Sequence, residues 1–567
     1  INAAAFSLQL KQDQALFGTI TSSNRSSLRS GGHIENRAQL SSAGTLSLDS
    51  RSLDNYNSLS AQHTRIRTDT LNNRSLIDGQ STRIDAGKVN NLGTGRIYGD
   101  HVAIGAAEVN NAPENGTTAT IAARERLDIG AKHIRNEGQS LIFSANTLAI
   151  GGALDAQGHA VGSAQSLINR AAVIEALGDG HLNIDTLHNL NTGLSKQTYM
   201  AGSEQGIREY AVIGTLQRYR EGADGYWDRR SGSKDQKHAY FRLNDGTSVQ
   251  GEYWHVWEYD IHTQRETLDP GIAGEIRLGG DLYAQGKDWL NHDSKILIGG
   301  NVYGIGQGVL KNTATQGIQT LTHSGGQYDS LHRRGWYSLK RRDRRYESNH
   351  APYLYSQTST SAFDNSPHIY RVNAPNAAQG QHISTLNTAA VATDTTLPQS
   401  SLYRISPNHP NYLIQTDPAF TDYRQWLGSN YMLDALNIDA SMHKRLGDGF
   451  YEQRLVNEQI ARLTGQRRLD GYANDEEQFK ALMNAGISWA KTFNLTPGIA
   501  LSAEQMAQLT SDIVWLENQT LTLPDGSRQT VLAPKVYVAG GQSGSSAATG
   551  LISVQNLYLQ TQSLENS

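Results

Sequence analysis

Along the first third of the chain, apolar and polar residues alternate in short runs such as Thr45-Leu46-Ser47-Leu48 and Thr64-Arg65-Ile66-Arg67. Between the runs stands a triplet of an apolar residue, any residue and asparagine. It recurs at Ile34-Glu35-Asn36, Leu53-Asp54-Asn55, Leu71-Asn72-Asn73, Val89-Asn90-Asn91, Val109-Asn110-Asn111 and Ile134-Arg135-Asn136. Successive asparagines lie 19, 18, 18, 20 and 25 residues apart. Alternation with period 2 makes strands with one buried face, and a repeat of roughly 20 residues makes each unit one coil of a solenoid. The pattern predicts a mainly β protein built on a right-handed parallel β-helix over residues 1–195. The asparagines are expected to turn the corners, their side chains capping local backbone and their main chain tolerating left-handed angles, and to stack as an amide ladder.

The pattern breaks, returns and breaks again. Residues 196–271 are aromatic and charged, with Tyr199, Tyr210, Tyr219, Tyr240 and Tyr259 beside Arg218, Arg220, Arg229 and Arg230, and they read as an insertion of β-hairpins. Residues 272–322 resume the coil, because Ile276-Arg-Leu-Gly-Gly-Asp-Leu-Tyr-Ala is echoed 20 residues later by Ile296-Leu-Ile-Gly-Gly-Asn-Val-Tyr-Gly. Residues 323–407 form a basic, tyrosine-containing loop followed by a linker rich in Ala, Thr, Asn and Gln. Residues 408–540 have helical spacing and form a small α+β domain. Gly449–Thr464 reads as one helix, Asn474-Asp-Glu-Glu477 and Ser502-Ala-Glu-Gln505 as capping boxes, and Asp525-Gly526 as a hairpin turn. Residues 541–567 open a further coil.

Composition narrows the class. Apolar residues make up 37% and charged residues 18% of 567, with many Gly, Asn, Ser and Thr, as a chain of many turns requires. There is no cysteine, so disulfides and thiolate-bound zinc are excluded. A net charge of −4 gives no global field toward nucleic acid or anionic lipid. The start Ile1-Asn2-Ala3-Ala4-Ala5 has no basic and apolar leader, and no run approaches a membrane span. The chain is therefore expected to be an excised central piece.

Candidate chemistry is sparse. Ser488-Trp-Ala-Lys491 has the spacing of a Ser-x-x-Lys nucleophile but lacks its partner motifs, and the 18 histidines show no metal-ligand spacing. Glu476 and Glu477 fit a first helical turn. No catalytic residue, metal or cofactor is assigned. Aromatic side chains anchor interfaces and equally fill hairpin cores. Arginines beside aromatics grip phosphates or pack by cation–π contact. With both readings open, the candidate receptor contacts are Tyr226, Trp227, Tyr253, Trp254, Trp257, Arg333, Arg334, Trp336, Tyr337, Arg341 and Arg342.

The coils with their asparagines resemble the filamentous-haemagglutinin repeats of two-partner-secreted exoproteins. A second resemblance is more specific. It rests on Tyr412-Leu-Ile-Gln-Thr-Asp-Pro-Ala-Phe-Thr-Asp-Tyr423, Leu446-Gly-Asp-Gly-Phe-Tyr-Glu-Gln-Arg-Leu-Val456, Leu463-Thr-Gly465, Pro497-Gly-Ile-Ala-Leu501, Leu509-Thr-Ser-Asp-Ile-Val-Trp515 and Pro534-Lys-Val-Tyr537. That block resembles the segment before the second repeat region of CdiA-type contact-dependent growth inhibition effectors and related large haemagglutinins. The resemblance implies a filament over 1–195, a receptor-binding position from 196 to about 400, a Tyr/Pro-rich region within 323–540 and second repeats from about 545. The secretion signal and the toxin of that family are expected to lie outside this piece. The implied protein is a secreted, monomeric, non-catalytic part of a bacterial surface filament. Its partners would be an outer-membrane receptor, protein or lipopolysaccharide glycan, on a target cell and an outer-membrane secretion pore, with no nucleic acid. The alternatives are a host-directed adhesin without toxin and a β-helix enzyme that degrades polysaccharide.

Overall fold

The structure is a computed structural model that describes residues 1–228, 239–251, 253–306, 308–333, 342–346, 352–362, 369–373, 387–539 and 550–566. The chain divides into two compact units. One comprises Ile1–Leu194, Pro270–Thr315 and Asp364–Ser567, the other Ser195–Asp269 and Gln316–Phe363.

The first unit is a parallel β-helix whose strands form one 23-stranded sheet. Register keeps equivalent triplet positions stacked, so that Ile34, Leu53, Leu71, Val89, Val109 and Ile134 lie one above another. All six are fully buried. Each such side chain contributes on the order of 2 kcal/mol by leaving water, and one continuous apolar core runs through the coils.

The asparagines do more than the sequence suggested in one respect and less in another. Each donates its Nδ2 to the Oδ1 of the next in a ladder through Asn36, Asn55, Asn73, Asn91, Asn111, Asn136, Asn169 and Asn189, at 2.8–2.9 Å. The ladder continues across the excursions of the chain to Asn291, Asn312 and Asn566 at 2.7–2.8 Å. None of these asparagines is left-handed. After Asn136, Asn169 and Asn291 the positive φ falls two or three residues on, at Gln139, Ala171 and Asp293. The amide is therefore an extended, buried rung, and the corner is turned by the residues that follow. A buried amide without partners costs about 1–3 kcal/mol. Asn111→Leu, which removes the donor to Asn136 Oδ1 and Leu141 O and one of the three acceptors of Asn91 Nδ2, is expected to cost about 2 kcal/mol. Asn90→Ala, in a half-buried row where Asn90 donates to Asn72 and accepts from Asn110, is expected to cost well under half as much. Urea midpoints of the two variants check this.

The coil survives both departures of the chain. Val173–Ala176 pairs in parallel with Glu275–Leu278, and Lys295–Ile298 pairs in parallel with Leu551–Ser553. Residues 551–566 thus form the rung that follows 295–313.

Residues 369–373 and 387–539 build a separate α+β layer in the same unit. Its sheet has seven strands, with Arg528–Val538 near the centre and Ile513–Thr522 joined to it through the turn at Gly526, whose φ is +82°. The helices are Pro418–Thr421, Asn430–Ala435, Gly449–Thr464, Asp475–Phe493 and Ala503–Ala507. Ser502 and Gln505 make the reciprocal capping box. At the other expected box, Asn474 caps Glu477 N–H at 2.9 Å, but the Glu477 carboxylate reaches back to Ala473 N–H at 3.0 Å, one residue before the cap. Ser488 donates its hydroxyl to Asn484 O one turn back.

This layer docks on the side of the coil through the residues that carry the sequence resemblance. Phe420 packs against Tyr98 and Phe143, and Phe450 against Phe143. Arg124 donates to Phe420 O at 3.0 Å, and Asp417 pairs with Arg96 and accepts from Tyr98 Oη at 3.2 Å.

Candidate recognition surface in the insertion

The second unit is antiparallel. Ser195–Val212, Tyr253–Asp269 and Gln316–Arg333 pair in that order, and Pro352–Ala362 and Arg342–Tyr346 pair with different parts of Gln316–Arg333. The strand Gln316–Arg333 thus runs across the boundary expected at 322, and residues expected as a loop supply strands.

Two apolar clusters lie at one part of this sheet. Tyr210, Trp227, Phe241, Trp254 and Val256 form one. Ile207, Ala211, Trp257, Tyr259 and Ile261 form the other. Within Tyr253–Asp269 the two sets occupy alternate positions, which a strand points to opposite faces. A small sheet of Gly225–Asp228, Ala239–Leu243 and Ser248–Gly251 contributes Trp227 and Phe241 to the first cluster.

Among the described residues, no buried apolar cluster of this sheet lies beyond these two. Every residue from 195 to 206 is exposed, and so is every residue from 352 to 360 except half-buried Tyr353. Sheets ordinarily need an apolar face to be stable alone, so this extension holds its shape by backbone pairing to the clustered part. Pro352–Ala362 carries no charge, and Leu354 on it is 71% exposed. Natural edge strands are usually blunted by charges, bulges or cover, because an open row of N–H and C=O groups recruits another chain.

The structure separates the candidate residues. Trp254 is fully buried and donates Nε1 to Gly251 O at 2.8 Å. Trp227 stacks on Tyr210 at 4.7 Å and meets Trp254 edge-on at 4.9 Å. Trp257 lies beneath the Arg218 guanidinium at 3.9 Å. These three indoles are committed to the cores and have almost no surface to offer. Tyr226 and Tyr253 are half exposed. Arg333 and Arg342 are paired in backbone register. Arg334, Trp336, Tyr337 and Arg341 lie outside the described residues.

Other groups emerge that the spacing did not single out. Arg218 reaches Tyr353 Oη at 3.1 Å and Glu209 at 3.4 Å. His323 stacks on Tyr259 at 4.7 Å, and both its ring nitrogens are buried without a hydrogen-bond partner. Burial holds the His323 imidazole below its ordinary pKa, against the pull of Glu209. Burial likewise raises the Tyr210 phenol, with Glu221 beside it adding to the effect. The alternation of aromatic residues at both even and odd positions from 253 to 259 was the available signal that this strand is clad on both faces. Among the described residues no group of three or more His, Asp or Glu is placed to hold a metal, and no helix is long and apolar enough to cross a membrane.

No family model matches the chain, and no solved structure does. Curated proteins do. The chain is 47% identical over 150 residues to the toxin CdiA of Yersinia pestis, a match covering 26% of this chain and 4% of that protein. It is 39% identical over 189 residues to the tRNA nuclease CdiA-2 of Burkholderia pseudomallei (strain 1026b), 33% of this chain and 6% of that one. To the deoxyribonuclease CdiA of Dickeya dadantii (strain 3937) it is 39% identical over 127 residues, 22% and 4% respectively. The matches thus cover only 4–6% of the length of these relatives. Over the stretch it shares with them, the chain is similar to CdiA-type proteins.

Proposed function

We propose that this chain is a non-catalytic presenting and recognising part of a secreted bacterial surface exoprotein of contact-dependent growth inhibition. The β-helix is its filament. The unit formed by 195–269 and 316–362 binds a receptor on the target cell so that a toxin carried elsewhere in the protein is delivered. The observation that carries this reading is the sheet extension with both faces exposed and an uncharged outer strand, since a partner is what such a sheet lacks. The receptor is an outer-membrane protein or a lipopolysaccharide glycan, and an outer-membrane secretion pore is the partner on the producing side.

The names of the relatives favour a second reading, in which the matched part is a nuclease. One comparison argues against it. A relative named for cleaving tRNA and another named for cleaving DNA are each 39% identical to this chain. Similarity of the same degree to proteins named for different substrates argues that the matched part is not what chooses the substrate. A plain adhesin would use the same surface without a toxin.

Labelled protein is expected to bind target bacteria. A Leu354→Lys/Thr358→Lys pair, which sets charges on the outer strand without removing a buried group, should weaken that binding at least about tenfold, the scale of an interface hot spot. Unchanged binding places recognition elsewhere. Cleavage of tRNA or duplex DNA by the purified chain would establish the second reading.

A further inference from the structure

A groove of about 550 Å³ lies in the first unit between the coil and the loop 466–473. We infer that it binds a linear, uncharged oligosaccharide, at a site independent of the insertion. Its floor is glycine backbone, over which the Arg468 guanidinium lies at Gly279 and Gly299. A Cβ at Gly279 would stand 2.1 Å from Leu177 O, and one at Gly299 would stand 2.7 Å from Gly279 O, so stacking of the coils forbids side chains there. The far wall is fixed by Arg468, which donates to Gly279 O at 2.6 Å and to Tyr472 O and Ala473 O at 3.3 and 3.1 Å.

The near wall repeats. Asp179 accepts the N–H of Asp281 at 2.7 Å, Asp281 accepts that of Asn301 at 2.7 Å, and Asn301 accepts from Asn556 Nδ2 at 2.8 Å. A carboxylate has about four lone-pair sites, so each aspartate keeps acceptor capacity beyond this one bond. Outside the groove, two residues along each strand from this row, stand His181, Tyr283, Tyr303 and Tyr558, stacked at 4.8, 5.4 and 5.3 Å. The three tyrosines are 36–56% exposed, and Asn301 ties the two rows together by donating to Tyr303 Oη at 3.1 Å.

Like groups therefore recur at the strand spacing of about 4.8 Å, and a ligand matched to that wall is itself a chain of repeating units. The acceptors that line the groove are the carboxylates of Asp179, Asp281 and Asp470 and the amide oxygens of Gln466 and Gln555, so each unit must donate hydrogen bonds. The exposed tyrosine row beside the groove continues it with apolar surface for C–H groups. A polyhydroxylated chain with about one ring per coil meets all of these demands. Acidic saccharides are excluded by charge, because Asp179, Asp281 and Asp470 line the groove. The arginines there are committed elsewhere, Arg467 to Glu175 and Asp475 and Arg468 to Asp475.

The test uses the whole chain against an array of linear saccharides, with cellohexaose, chitohexaose and a uronic-acid hexamer followed by calorimetry. At least one uncharged saccharide is expected to bind with a Kd below about 1 mM. Tyr303→Ala and Asp281→Asn should each weaken it at least about tenfold, and the asparagine keeps the acceptor for Asn301 N–H so that the coil stays folded. The uronic-acid hexamer should neither bind nor compete. The Leu354→Lys/Thr358→Lys protein should bind saccharide like the parent, which separates this site from recognition by the insertion. Absence of any uncharged ligand on the array overturns the inference, as does saccharide binding unaffected by both groove substitutions.

Discussion

Glu175→Ala is expected to cost about 3–5 kcal/mol and to loosen the α+β layer from the coil, because it strands buried cations. Glu175 sits on the coil strand Val173–Ala176 and is 1% exposed. Its carboxylate meets Arg467 at 2.9 Å and Arg454 at 3.1 Å, both from the α+β layer. Burial alone would push this carboxyl up, but Arg454, Arg467 and Arg277 outweigh burial and hold it below the usual range. Neighbouring Glu275 is likewise held at about 2, its own burial overcome by Arg277 and Lys295. Folded values below the unfolded ones mean that this stabilisation is complete above about pH 4.5 and fades as pH falls toward 2. Replacing a whole buried ion cluster by apolar side chains is often neutral, whereas removing one member is not. The strength of the cluster therefore lies in register: it fixes where the layer sits along the coil. Glu175→Gln keeps the volume and removes the charge, and should lose most of the same stability. Limited proteolysis and urea midpoints read the effect. Cleavage within 387–539 should rise sharply in both variants while the far-ultraviolet signature of the coil persists, and unchanged midpoints would sink the account.

The coil was legible because its signal is local and repeated. Leu53-Asp54-Asn55 and its equivalents state the buried position, the exposed position and the rung in three residues, and register then follows from stacking one on the next. The backbone angle was misread for a physical reason: asparagine favours left-handed turns when exposed, whereas a buried amide that finds partners above and below stays extended. The helices at 449–464 and 475–493 were legible from caps and apolar spacing. Pairing of Tyr253–Asp269 with Gln316–Arg333 was not, since partners separated by an intervening stretch of coil leave no periodic trace. Nor was the meeting of Glu175 with Arg454 and Arg467, nearly 300 residues apart, because a lone charge in a strand pattern looks solvent-facing until its partner is known. In the candidate surface, composition located the aromatic segment but could not divide it. Trp254 and Tyr253 are adjacent in sequence, and one is wholly buried while the other is half exposed, because neighbours on a strand face opposite ways.

Glu452→Gln should stabilise the α+β layer at pH 8 by about 3 kcal/mol. Glu452 lies in the first turn of Gly449–Thr464, 1% exposed, and accepts the N–H and the hydroxyl of Ser429, each at 2.6 Å. Burial is the dominant influence and raises its carboxyl to about 7. The two Ser429 hydrogen bonds and the charge of Arg445 only partly oppose it, and Asp448 adds to the rise. The folded value exceeds the unfolded one, so the folded state holds the extra proton between about pH 4.5 and 7. Its contribution is complete below that window, declines through it and is gone above it. A shift of about 2.5 units at 1.36 kcal/mol per unit sets the size. Glutamine is neutral throughout and leaves one oxygen for Ser429 N–H, while the Ser429 hydroxyl can turn to accept from the new amide. Parent and variant should therefore unfold at similar urea concentrations at pH 4.5 and diverge steadily up to pH 7, with a constant gap beyond. Parallel stability curves across that range would mean that Glu452 does not titrate in the folded protein, and that burial at this helix start costs far less than its surroundings indicate.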